Sequence, residues 1–112
     1  MNKTERKIKH LYFHENYYEK ILEGNKISTV RKGVLIPDSL NITLIFNKIN
    51  EKLDAKILRL DYTYTLNTLT EQVAKKDGFN SIQELKDALH KHYPNMNSEQ
   101  HLTIIEFKVY KS

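Results

Sequence analysis

The sequence predicts an α+β domain built on a small mixed β-barrel with flanking helices. Three observations carry that class. In Leu40-Asn41-Ile42-Thr43-Leu44-Ile45-Phe46 every even position is apolar, the two-residue period of a strand with one buried face. From Leu53 the apolar set Leu53, Ala55, Ile57 changes phase to Leu58, Leu60, Tyr62, as at a bulge, and bulges bend strands so that small barrels can close. Two helical patterns with capping residues then precede a last strand, Leu102 to Tyr110, which is apolar on both faces as a central strand would be.

Taken in order, Lys7 to Phe13 reads as the first strand. From about His14, Tyr17, Tyr18, Ile21 and Leu22 share one helical face, and Gly24 supplies the left-handed stop. If the next stretch is extended, Ile27, Thr29 and Arg31 lie on one side and Ser28, Val30 and Lys32 on the other. Gly33 to Asp38 reads as a loop and Asn47 to Lys52 as a turn. Thr68-Leu69-Thr70-Glu71 has capping-box spacing before a helix through about Lys76, with Gly78 beyond it. Ser81-Ile82-Gln83-Glu84 repeats the pattern and opens a helix with the stripe Ile82, Leu85, Leu89, closing before Pro94. The expected order is β-α-β-β-β-α-α-β, without repeats or linkers, in one domain spanning residues 1–112.

Composition narrows the chemistry. A chain of 112 residues buries a modest core. Without cysteine it has no disulfide, no thiolate metal site and no cysteine nucleophile. No run approaches the roughly 18 apolar residues of a membrane span, and the first ten residues lack a signal-type apolar region, so the expectation is a soluble cytoplasmic protein with no membrane partner. The net charge of +4 is compatible with a polyanionic partner and equally with simple solubility. The three glycines are too far apart for a phosphate loop. His90 and His92 are two apart on a helix, and His10 and His14 straddle a strand–helix junction, so no zinc site and no cofactor are expected.

The densest cluster of reactive groups is Gly24-Asn25-Lys26-Ile27-Ser28-Thr29-Val30-Arg31-Lys32. Read from the residues alone, it is either a charged strand edge that blocks aggregation or a site. Glu106 sits among apolar residues of the last strand, where a carboxylate needs a partner such as Arg31 or Lys26, or a role. Tyr12, Tyr17, Tyr18, Tyr62 and Tyr64 can stack a base or simply pack with a wet hydroxyl.

The combination of YYEKILEGNKISTVRK, LTEQVAKKDGFNSIQELKDALHKHYP and LTIIEFKVY resembles the ASCH domain family, over roughly Lys7 to Tyr110. The specific parts are G-x-K-x-x-T-x-R and A-x-x-D-G-F followed by Y-P. The resemblance implies a PUA-like barrel that binds RNA or a nucleoside- or nucleotide-like ligand in a cleft beside it. One bacterial branch is implied to hydrolyse acetylated cytidine, with a threonine nucleophile, a lysine proton acceptor and an acid as proton donor. Those roles fall on Thr29, Lys26 and Asp77, the last one methylene shorter than that branch's glutamate. Arg31, Lys32, Glu106 and Tyr18 are the ligand-binding candidates. Two classes stay open: a binding module, which needs no catalytic acid, and an amidohydrolase, which needs Lys26, Thr29 and Asp77 at one point.

Overall fold

The structure is a computed structural model that describes residues 5–110. Strands β1 (Glu5–Ile8) and β2 (His10–Tyr12) are followed by a single 3₁₀ turn and the short helix α1 (Tyr18–Leu22). Next come β3 (Ser28–Lys32), β4 (Val34–Pro37), β5 (Asn41–Phe46) and the long β6 (Glu51–Asp61). Helices α2 (Glu71–Lys76) and α3 (Ile82–His92) precede β7 (Leu102–Val109).

Five strands form one sheet in the order β2-β5-β6-β7-β3, and β1 pairs in parallel with β4 as a separate ribbon. The sheet curls into a half-barrel. Its two edges come so close that the Arg31 guanidinium on β3 donates to the Tyr12 carbonyl on β2 at 2.8 Å. The ribbon continues both edge strands: β1 leads into β2 through Lys9, and β3 into β4 through Gly33. The α+β barrel class thus stands, with four local corrections. The expected first strand is broken at Lys9. The expected loop Gly33–Asp38 contains β4, because a partner 29 residues upstream offers it a ladder that no local pattern reveals. The turn after β5 is shorter than expected, since Asn50 takes a left-handed conformation and β6 starts at Glu51. Helix α2 is capped by Thr70, whose side chain accepts from the Val73 amide, while Thr68 closes the 3₁₀ turn Leu66–Thr68, whose N-cap is Thr65, and its hydroxyl accepts from the Thr65 amide.

The phase flip in β6 is a register shift between Ile57 and Arg59. Ala55 and Ile57 point into the barrel core beside Leu44, Phe46, Ile105 and Phe107, and Leu58, the extra residue, is exposed. Beyond the bulge Arg59 lies opposite Glu106, and Asp61 opposite Ile104. A second core lies between the sheet and the helices, built from Val30, Leu102 and Ile104 against Val73, Ala74, Leu85 and Leu89. Strand β7 separates the two cores, which is why its sequence is apolar on both faces: Ile104 looks to the helices and Ile105 into the barrel.

Candidate functional site

Lys26 lies in the short connection between α1 and β3. Its amide donates to the Lys20 carbonyl (3.1 Å), and the Ile27 amide donates to the Lys76 carbonyl (2.9 Å), so the segment is gripped between the ends of α1 and α2. On the other side is Gly78, with φ +88°, where any Cβ would stand 3.2 Å from the Lys26 Cβ. Only glycine lets the chain turn left-handed at that distance. This pins Asp77, the residue just past α2, directly over Lys26.

The two side chains are 3–4% exposed and form a buried ion pair; the Lys26 ammonium donates to the Asp77 carboxylate and, at 3.1 Å, to the Asp77 main-chain carbonyl. Three rings surround the ammonium, with Tyr17, Phe13 and Phe79 centroids at 4.8, 5.7 and 5.9 Å, a cation–π arrangement. Burial pushes the Asp77 carboxyl up to about 6, against the opposing pull of Lys26, Arg31 and the Val30 amide. Burial also pushes the Lys26 ammonium down. Burial thus draws both members of the pair toward their neutral forms.

Thr29 and Arg31 alternate on β3 and so share a face. The Arg31 Nε–H donates to the Thr29 hydroxyl oxygen at 2.9 Å, its other arm holds the Tyr12 carbonyl, and its guanidinium lies 4.7 Å from the Phe13 ring centroid. Lys26, Thr29, Arg31 and Asp77 line one cavity of about 210 Å³ with Tyr12, Phe13, His14, Tyr17 and Phe79; its far wall is α3, through Leu85, Ala88, Leu89, His92 and then Tyr93. His92 has its imidazole pushed down, first by burial and then by Arg31.

Three candidates lie elsewhere. Tyr18 packs edge-to-face on Phe46 in the barrel core (5.1 Å). Lys32 is exposed and does not line the cavity. Glu106 does not meet Arg31 or Lys26; it points to the opposite side of the sheet and pairs with Lys76 at 2.9 Å. Tyr62 donates to the Leu35 carbonyl, and Tyr64 packs on the helix-side core. Sequence reasoning missed Phe13, His14, His92 and Tyr93. The α3 members were findable, since 85, 88, 89 and 92 continue the face already read as a buried stripe. Among the described residues no group of three or more histidines and carboxylates is placed to hold a metal ion. None of the described helices is long and apolar enough to cross a membrane.

With its curled five-stranded sheet and helices over one face, the chain has an ASCH-like fold. It is similar to the ASCH domain of Lactobacillus crispatus JV V101 with a TM-score of 0.70 at 18% identity, covering 89% of this chain and 77% of that one. It is also similar to the protein EF3133 of Enterococcus faecalis V583, of family DUF984, with a TM-score of 0.63 at 12% identity, covering 82% of this chain and 65% of that one. No family model and no curated protein matches the sequence.

Proposed function

We propose that the cleft binds a single nucleobase, carried by a free nucleoside or by an unstacked nucleotide of RNA. The observation that carries this reading is the buried Lys26–Asp77 pair at the floor of a narrow cleft walled by aromatic rings. A base needs an aromatic face to stack on and a few fixed donors and acceptors for its polar edge. Phe13, Tyr17, Phe79 and Tyr93 offer the first; Lys26, Asp77, Thr29 and Arg31 offer the second. At about 210 Å³ the cavity takes one base and excludes a stacked pair. Titration of the protein with cytidine, uridine, adenosine and a short single-stranded RNA, followed by amide chemical shifts, tests the reading. It requires saturable changes at Phe13, Thr29, Asp77 and Phe79, weakened about tenfold or more in Arg31→Ala, a charge-assisted contact. Binding of the RNA should also fall steeply with salt. Failure of every nucleoside and of the RNA to shift those amides overturns it.

One further observation favours the hydrolytic version of the same site: the Thr29 hydroxyl stands in the cleft with the buried Lys26–Asp77 pair and already accepts a hydrogen bond from Arg31. In that version Thr29 Oγ1 bonds to the carbonyl carbon of an N-acetylated cytosine, neutral Lys26 takes the hydroxyl proton, and protonated Asp77 delivers a proton to the leaving amine nitrogen as the C–N bond breaks. Water then cleaves the acetyl-threonine ester, releasing acetate. Acetate release from acetylcytidine should be abolished in Thr29→Ala and in Lys26→Ala, and retained or raised in Asp77→Glu. Release equal to the uncatalysed rate, or unchanged in Thr29→Ala, removes this version and leaves the binding one.

A further inference from the structure

Behind the cleft, on the other face of β3, a second cavity of about 260 Å³ opens between the sheet and α2. The face that the sheet turns to the helices is apolar along Val30 and Ile104, yet the next row of the register is polar throughout: Arg59 on β6, Glu106 on β7, Ser28 on β3. The β6 bulge puts Arg59 and Asp61 there; an unbroken strand would have sent both into the barrel, in phase with Ala55 and Ile57. Lys76 at the end of α2 reaches down to Glu106, and Gln72 lines the same wall one turn earlier.

The charges of this cavity cancel. Arg59 faces Asp61 at 3.5 Å and Lys76 faces Glu106 at 2.9 Å. One group is left over: Ser28 is 1% exposed, lines the cavity, and among the described residues its Oγ is the buried side-chain polar atom with no hydrogen-bond partner. Buried hydroxyls without partners are rare, because each forfeits its hydration for nothing. A core serving only packing would have alanine or valine at this position.

We infer that this second cavity is a binding site for a small zwitterion of the α-amino-acid type, seated between the Arg59–Glu106–Ser28 row and the last turn of α2. The reason is the pattern of charge. A simple anion such as phosphate meets Arg59 and Lys76 but also Asp61 and Glu106, and a simple cation meets the reverse, so neither gains net Coulomb energy. A molecule with a carboxylate and an ammonium group a few ångströms apart matches both signs at once. Its carboxylate lies against Arg59 and Lys76 and accepts the Ser28 hydroxyl proton, and its ammonium lies against Glu106. The cavity volume, below the ~300–1,000 Å³ of pockets for drug-sized ligands, suits a molecule of that size. The Gln72 amide on the wall can read a polar side chain.

The experiment uses the full chain labelled for amide shifts and titrated with glycine, L-serine and L-glutamine, with acetate, methylammonium and inorganic phosphate as matched controls. The expected result is saturable shifts at Ser28, Gln72 and Glu106 with at least one amino acid, at a Kd of about 1 mM or tighter, and far weaker responses to each control. Ser28→Ala should weaken that binding about fivefold, the worth of one hydrogen bond, and Glu106→Gln should abolish it. If Glu106→Gln does not fold, Gln72→Ala takes its place and should change the ranking of the amino acids. No saturable shift with any amino acid overturns the inference. So does a response to acetate or phosphate equal to that of the amino acids, which makes the cavity an anion site, and so does binding unchanged in Ser28→Ala, which leaves the hydroxyl to an ordered water only.

Discussion

The two cavities stand back to back and are built from neighbouring residues. Ser28 and Lys76 face one, Thr29 and Asp77 the other, because strand alternation and the turn at the end of α2 send adjacent side chains to opposite sides. Each holds a lysine–carboxylate pair, but the pairs differ in kind. Lys26 and Asp77 are 3–4% exposed, whereas Lys76 and Glu106 are 37% and 21% exposed. The buried pair has shifted proton affinities on both members. What separates the two pairs is desolvation, since each joins a lysine ammonium to a carboxylate.

The sharpest way to break the comparison is to remove one partner from each pair. Asp77→Ala strands a buried ammonium and should cost about 3–5 kcal/mol in denaturant unfolding. A loss below about 1 kcal/mol would place Lys26 in contact with water and erase the distinction. The same pair predicts a pH signature. Asp77 holds its proton more tightly folded than unfolded, so its contribution favours the folded state at low pH and is lost as pH rises from about 4 to about 6. The stability of the parent protein relative to Asp77→Asn should therefore fall across that window; a difference that is flat or rises would contradict the shift. For the second cavity, Ser28→Ala removes an unpartnered buried hydroxyl and should stabilise the ligand-free protein by about 1 kcal/mol. Destabilisation instead would mean that the hydroxyl is satisfied. The smallest effect belongs to Lys76→Ala, which breaks a partly exposed pair and should change stability by less than about 1 kcal/mol.

Much of the cleft could be read from the residues. Strand alternation puts Thr29 and Arg31 on one face, whereas Lys26 and Asp77 join them only through the resemblance carried by G-x-K-x-x-T-x-R and A-x-x-D-G-F; the structure puts all four in one cavity. The β6 bulge and the two-faced β7 were visible as a phase flip and as an apolar run. Pairing across long sequence distances was not. Strand β4 reads as a loop because Val34-Leu35-Ile36-Pro37 is too short to show a period, and its partner lies 29 residues upstream, at the start of the described residues. The partner of Glu106 is hidden for a related reason: alternation fixes that Glu106 and Ile105 diverge, but not which side the lysines of α2 cover. The sequence offers Tyr18 as a ligand-binding candidate, yet its neighbour Tyr17 is the one at the cleft. Two adjacent tyrosines on a short helix are distinguishable only once the barrel core has claimed one of them.

The Arg31 guanidinium spans the gap between the two edge strands of the sheet, one arm on Thr29 and the other on the Tyr12 carbonyl. Width of the cleft and occupation of Arg31 are thus two readings of a single latch. Strands β2 and β3 are not neighbours in the ladder, so at this point the seam of the half-barrel is held by a side chain and not by backbone pairing.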